Sequence, residues 1–260
     1  ENLADICFTA NTGRHPFDDR LAVWGSSIQE MQHSLEKWLA EGSDPKVAQQ
    51  KLKTNQKNRC AFLFTGQGSQ YPNMGRELYE TEPAFRDTVD YCASILDPLL
   101  PKPLLEVMYP TDPEDVSIHQ TQYSQPTLFA LEIALANLWK SWGVMPSYVM
   151  GHSLGELAAA CFAGVFSLED GLRIVAKRAQ LMQAQSANGE MWSVQMDAND
   201  LEKYLAQYPS QISIAAINGP QSAVISGAKD TVAQVTAKLK ADGVKIQQLT
   251  TSHAFHSPLM

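Results

Sequence analysis

A serine set between glycines where a strand hands over to a helix is placed for nucleophilic attack. Ser153 stands in Gly151-His152-Ser153-Leu154-Gly155, where the short apolar run 148–151 meets an Ala-rich segment. This is the G-x-S-x-G pattern of a nucleophile elbow. A tight turn of that kind exposes Oγ and tolerates no side chain at the flanking positions. It also aims a helix N-terminus at the hydroxyl, so that the Leu154 N–H becomes half of an oxyanion hole. The competing reading is a chance match, with Ser153 as an ordinary helix cap. The strand before it and the helix after it weigh against that.

A nucleophilic serine needs a base. The chain has six histidines: His15, His33, His119, His152, His253 and His256. His152, next to the serine, is expected to point away from its Oγ. His33 falls on the polar side of a helix. The strong candidates are His253 and His256 in "TSHAFHSPLM" (251–260), and the local sequence leaves the choice between them open. A second oxyanion donor is available from "FTGQGSQ" (64–70), where glycines let backbone N–H groups converge. A Walker loop would require Gly-Lys-Ser/Thr there, so ATP is excluded.

One cation stands out. On the helix expected over 168–184, Arg173 has Glu169 and Lys177 as i±4 neighbours and belongs to the charged face. Arg178 has Ile174, Val175, Leu181 and Met182 at i±3 and i±4, which predicts the inward face. A buried guanidinium needs an anionic partner. That partner is either an internal acid or a ligand carboxylate held bidentately.

The elements that must position these groups read as an α/β protein. Over residues 1–58 the sequence predicts a helix at "LADICFTANTGR", a strand over 20–27 and a helix over 27–42, with the polar "KLKTNQKNR" (51–59) as a linker. From Cys60, "CAFLFTGQGSQ" reads as a buried strand entering a glycine loop. Helical patterns at 74–100 and 125–143, a strand at 148–151 and helices from Leu154 and Leu168 follow. Strand and helix in alternation predict a parallel sheet. Residues 189–250 read βαββαβ, a ferredoxin-like unit inserted in the larger one, with a turn at Asn218-Gly219-Pro220.

Composition narrows the function further. Of 260 residues, 44% are hydrophobic and 18% charged, an ordinary globular balance. A net charge of −8 argues against nucleic acid as a partner. The four cysteines, Cys7, Cys60, Cys92 and Cys161, fit neither a zinc site nor a disulfide framework, so no metal and a reducing cytoplasm are expected. No membrane span or N-terminal signal is read, and the first residues look like the middle of a larger protein.

"FTGQGSQYPNMG", "QYSQPTLFALEIALANLWKSWGV", "GHSLGELAAACFAGVFSLEDGLRIVAKRAQLMQ", "INGPQSAVISG" and "SHAFHSPLM" together resemble the acyltransferase domain of modular type I polyketide synthases, a relative of bacterial malonyl-CoA:acyl-carrier-protein transacylases. The motifs occur in the family's order and cover essentially the whole chain. The resemblance implies a hydrolase-like large subdomain over 59–188 and 251–260, a small subdomain over 189–250, and a ketosynthase-to-acyltransferase linker over 1–58. It makes Ser153 the acyl carrier, His256 the catalytic base, Gln67 and Leu154 the oxyanion donors and Arg178 the grip on the extender's free carboxylate. "HAFH", with His253 and Phe255, resembles the malonyl-selecting form; methylmalonyl domains tend to carry Tyr-Ala-Ser-His. It further implies malonyl-CoA as substrate, no bound cofactor, and as partners a carrier protein bearing phosphopantetheine and a ketosynthase in the same chain. Two departures are visible: Gly189-Glu190-Met191-Trp192 replaces the family's Gly-Ala-Met, and the chain stops before the family's last helix and strands. The rival readings are a serine thioesterase or hydrolase, an inactive docking piece, and a stand-alone transacylase, the last disfavoured by residues 1–58.

Overall fold

Polar caps and a glycine stop set the limits of the first helices. Asn2 accepts from Ala4 N and opens α1 (Leu3–Thr12). Strand β1 (Asp19–Val23) precedes α2 (Ile28–Glu41), which Ser27 caps by accepting from Glu30 N and Gly42 closes. A further strand, β2 (Val47–Lys51), pairs antiparallel with β1 and occupies residues that carry no clear strand pattern. The structure, a computed structural model, describes residues 2–52, 59–185 and 188–260. Most of the stretch read as a linker, 53–58, lies outside the described residues. The chain divides into two units, Glu1–Arg59 and Cys60–Met260.

The second unit opens with β3 (Ala61–Phe64). The long helical pattern that follows is broken by Pro83, which has no N–H to continue a helix but suits a first turn. The result is α3 (Arg76–Thr81) and α4 (Pro83–Leu96). After α5 (Leu104–Met108) and a 3₁₀ turn at 117–119 comes α6 (Thr121–Ser141), which starts earlier than predicted because Pro126 is accommodated inside it. Strand β4 (Tyr148–Gly151) then leads to α7 (Leu154–Phe162) and α8 (Leu168–Gln183). Helix α6 is the spine of this unit: Leu128, Phe129 and Ile133 are buried with Phe85 and Val89 of α4 and Leu172 and Val175 of α8. Each such side chain stabilises the fold by ~1.5–3 kcal/mol.

Strands β3 and β4 pair in parallel, Ala61 against Tyr148 through Phe64 against Gly151. Phe62 and Phe64 face inward onto Phe162. Leu63 on the opposite face is 69% exposed, so β3 is half-buried rather than the fully buried strand expected; α7 packs against it on the side of Phe62 and Phe64. At the end of the pair the two elbow glycines meet. A Cβ on Gly151 would lie 2.0 Å from the Gly155 carbonyl carbon, and one on Gly155 would lie 2.3 Å from the Phe64 carbonyl oxygen.

The remaining elements are β5 (Gly189–Val194), α9 (Ala198–Leu205), β6 (Ile212–Gly219), β7 (Ser222–Ala228), α10 (Lys229–Ala241) and β8 (Ile246–Gln248). Their sheet runs β6-β7-β5-β8 with every pair antiparallel, the ferredoxin-like arrangement. It has its own core of Val194, Leu201, Ile225, Val232, Val235 and Leu239. No helix among the described residues is long and apolar enough to cross a membrane.

Because backbone stands where a Cβ would go, Gly155→Ala should destabilise the protein by ~3 kcal/mol or more. Thermal or denaturant unfolding checks this; unchanged stability would show that the elbow is not packed as described.

Candidate active site

The elbow holds Ser153 in a backbone conformation that few residues adopt, with φ 52° and ψ −108°. Such strain costs ~1–3 kcal/mol and persists only where the surroundings enforce it. Here the Gly151–Gly155 crossing and the contact of Gly155 with the end of β3 enforce it. Ser153 Oγ lies 2.7 Å from His256 Nε2. His256 also has a positive φ, 57°. Ser213 on β6 fixes it by donating its hydroxyl to the His256 carbonyl oxygen at 2.7 Å. The small sheet thus holds the histidine, while the large unit holds the serine. Ser213 belongs to no motif, and only the three-dimensional pairing reveals it.

Burial holds the His256 imidazole below its ordinary pKa, the positive charge of Arg178 pushes the same way, and Glu156 opposes them. The ring is therefore neutral and able to accept the serine proton over more of the pH range than a free histidine.

Arg178 reaches the same cavity from α8. Its guanidinium donates to Gln125 Oε1, and burial lowers its pKa. Among the described residues it is in no ion pair, whereas Arg173 is paired with Glu169 at 2.7 Å. The apolar face assigned to Arg178 needs correction. Val175 is buried, but Ile174 is 46% and Leu181 53% exposed. The buried stripe of α8 is Leu172, Val175, Ala176 and Ala179, and Arg178 stands at its border.

Gln125, wholly buried on α6, is a functional candidate that sequence reasoning missed. It accepts from Arg178 and donates through Nε2 to Gln67 Oε1 at 3.1 Å. Gln67 Nε2 in turn donates to Ser124 Oγ at 2.8 Å. These bonds tie down the Gln67 side chain. The backbone amides of Gln67 and Leu154 have no hydrogen-bond partner among the described residues. The signal that could have found Gln125 is its place with Thr121, Ser124 and Glu132 as polar residues recurring at helical spacing, beside an in-helix proline.

Ser153, His256, Arg178, Gln67 and Phe255 line one cavity of about 280 Å³, with Met191 and Val224 from the small sheet. His152 lines it too, its ring packed against Gly66, while the serine hydroxyl is turned to His256. His253 does not line it. The ring is 3% exposed, its Nε2 lies 3.2 Å from the Gln185 carbonyl oxygen and its Nδ1 2.9 Å from Ser252 Oγ. It packs on Phe255 with ring centroids 5.8 Å apart. His253 therefore touches Phe255 and not the cavity. Trp192 also stays outside the cavity lining; it donates to Glu190 at 3.1 Å and carries Lys240 over its ring. No cluster among the described residues has the ligands for a metal ion.

Comparison with known proteins places this geometry. The acyl transferase domain family matches residues 61–260, and a polyketide synthase C-terminal family of the CurL type matches 1–35. Mycoketide-CoA synthase of Mycobacterium tuberculosis is 41% identical over 259 residues, which are 100% of this chain and 6% of that protein. The spectinabilin polyketide synthase system protein NorB of Streptomyces orinoci is 39% identical over 258 residues, covering 98% of this chain and 12% of that protein. The chain thus spans a small fraction of the curated relatives it matches. Among solved structures, the acyltransferase domain from the second module of the salinomycin polyketide synthase superposes with a TM-score of 0.85 at 38% identity, over 100% of this chain and 60% of that one. The malonyl CoA-acyl carrier protein transacylase of Clostridium perfringens gives 0.69 at 28% identity, over 78% of this chain and 64% of that one. A strained serine under a histidine, an arginine in the same cavity and an unbroken match over 61–260 lead to one statement: this chain belongs to the acyl transferase domain family, in the company of polyketide synthases.

Proposed function

We propose that the chain loads a malonyl extender unit from malonyl-CoA onto Ser153 and passes it to the phosphopantetheine thiol of an acyl carrier protein. The observation that carries the reading is Ser153 Oγ at 2.7 Å from His256 Nε2, in one cavity with an arginine that has no acid partner among the described residues. Arg178 pairs with the free carboxylate and holds the thioester carbonyl over the hydroxyl. His256 takes the serine proton as Oγ attacks. The amides of Gln67 and Leu154 stabilise the oxyanion. The C–S bond breaks, CoA leaves as the thiol with the proton from His256, and a malonyl ester remains. The carrier's thiol then repeats the sequence on that ester, with ping-pong kinetics.

The domain division goes with this reading: 1–58 links to a ketosynthase of the same chain, 59–188 with 251–260 forms the large subdomain, and 189–250 the small one. The setting is cytoplasmic. Selection of malonyl over methylmalonyl rests on Phe255, whose ring fills space that an α-methyl needs. A plain hydrolase of the same elbow type has no use for Arg178 in the cavity.

Intact-mass spectrometry of the protein with a mixture of malonyl- and methylmalonyl-CoA tests this. The expected product is a malonyl adduct that Ser153→Ala abolishes. In Phe255→Ser the methylmalonyl share should rise about tenfold, as one methyl in a pocket is worth ~1–3 kcal/mol. Release of free malonate as the main product with carrier protein present would favour the hydrolase.

A pH profile tests the base. Labelling of Ser153 by a small uncharged fluorophosphonate needs neutral His256, so the rate should fall on the acid side with a midpoint below 6.5, the ordinary histidine value. Arg178→Ala removes a neighbouring positive charge and should move that midpoint upward. A midpoint at or above the ordinary value, or one indifferent to Arg178, would contradict the assignment.

A further inference from the structure

The mechanism above leaves one buried carboxyl unused. Glu132 lies in the middle of α6 and is 7% exposed. Its Oε1 accepts two hydrogen bonds from one residue, from Thr65 N at 2.6 Å and from Thr65 Oγ1 at 2.7 Å. Its Oε2 is buried with no partner among the described residues. Burial pushes its pKa up to about 7, against the Thr65 bonds that lower it. A carboxyl so placed detracts from stability, because one of its oxygens is desolvated without compensation. Packing alone does not call for it; α6 is otherwise lined there with Leu128, Phe129, Ile133 and Ala136.

What Glu132 grips is the first residue of the loop that carries Gln67. Thr65 Oγ1 lies 2.9 Å from Ser69 Oγ, and Ser69 donates to the Gly66 carbonyl oxygen at 3.1 Å. The Thr65 carbonyl oxygen also borders Gly155 at the elbow. The carboxyl therefore anchors the start of the turn 65–69, the turn that carries Gln67 into the cavity. About two turns earlier on the same helix, Ser124 and Gln125 hold the Gln67 side chain. We propose that Glu132 is a positioning residue for the oxyanion hole: by gripping Thr65 it fixes the course of loop 65–70 and the direction of the Gln67 N–H. The role rests on the acyl transfer proposed above, but the grip on the loop does not.

The test compares the parent, Glu132→Leu and Glu132→Gln in the full native chain, by single-turnover acylation of Ser153 from malonyl-CoA and by hydrogen exchange of the amides in 65–70. A displaced oxyanion donor lowers the rate up to the ~10²–10³ of a deleted one. Glu132→Leu should therefore lower the maximal acylation rate at least about tenfold. Its half-saturating concentration should stay within about twofold, because Arg178 and Gln125 are untouched. Exchange in 65–70 should speed up. Glu132→Gln keeps an amide oxygen for Thr65 and should restore most of both properties. Should Glu132→Leu fail to fold, Thr65→Val removes one of the two donors and should lower the maximal rate several-fold with the same half-saturation. An unchanged maximal rate, or a loss confined to half-saturation, in the folded variant would overturn the proposal. A parent that acylates nothing would instead sink the transfer reading, and the exchange comparison alone would then decide whether Glu132 fixes the loop.

Discussion

The charge on Arg178 is the constraint to which the rest of the site answers. A guanidinium drawn into a protein destabilises it unless a partner compensates. Here the compensation within the described residues is a neutral amide, Gln125, and no carboxylate. An amide oxygen satisfies one donor of a fork that has five. In the proposed function the remaining N–H groups take a planar anion in the cavity shared with Ser153 and His256. The same charge lowers the pKa of His256, so the group that would bind an anionic substrate also helps keep the base neutral.

Helix α6 converts that chemistry into a packing problem. Its apolar side holds the core together through Leu128, Phe129 and Ile133. Its polar residues Ser124, Gln125 and Glu132 face the loop 65–70 and the arginine. A shift of this helix would move the arginine's partner and the oxyanion loop together. The base comes from elsewhere, since Ser213 of the small sheet holds the His256 backbone. The serine thus stands on the elbow of the larger core, while the backbone of the base is held by the separately cored small sheet.

Much of this was legible in the chain. The elbow shows itself because Gly151 and Gly155 must let backbone touch backbone, and no other residue type does so. The βαββαβ order shows itself because short apolar, β-branched runs separated by turns stand between helices of helical period. What escaped was non-local. Gln125, Glu132 and Ser213 look ordinary until the fold brings them to residues 53, 67 and 43 positions away. His253 shows the same limit: it stands two residues from Phe255 in sequence, yet its ring turns to the Gln185 carbonyl and does not line the cavity. Apolar neighbours at i±3 and i±4 do not guarantee an inward face: Ile174 and Leu181 are exposed, and Arg178 stands at the border of the buried stripe.

The central claim is that the guanidinium of Arg178 selects acyl groups ending in a carboxylate. The direct measurement is competition between malonyl-CoA and acetyl-CoA for Ser153, read by intact mass in the parent and in Arg178→Ala. Charge-assisted hydrogen bonds contribute ~1.5–3 kcal/mol each, so the parent should carry malonyl almost exclusively. In the variant the malonyl-to-acetyl ratio should fall at least about tenfold. A variant that keeps the parent's ratio would mean that the carboxylate is recognised elsewhere or not at all.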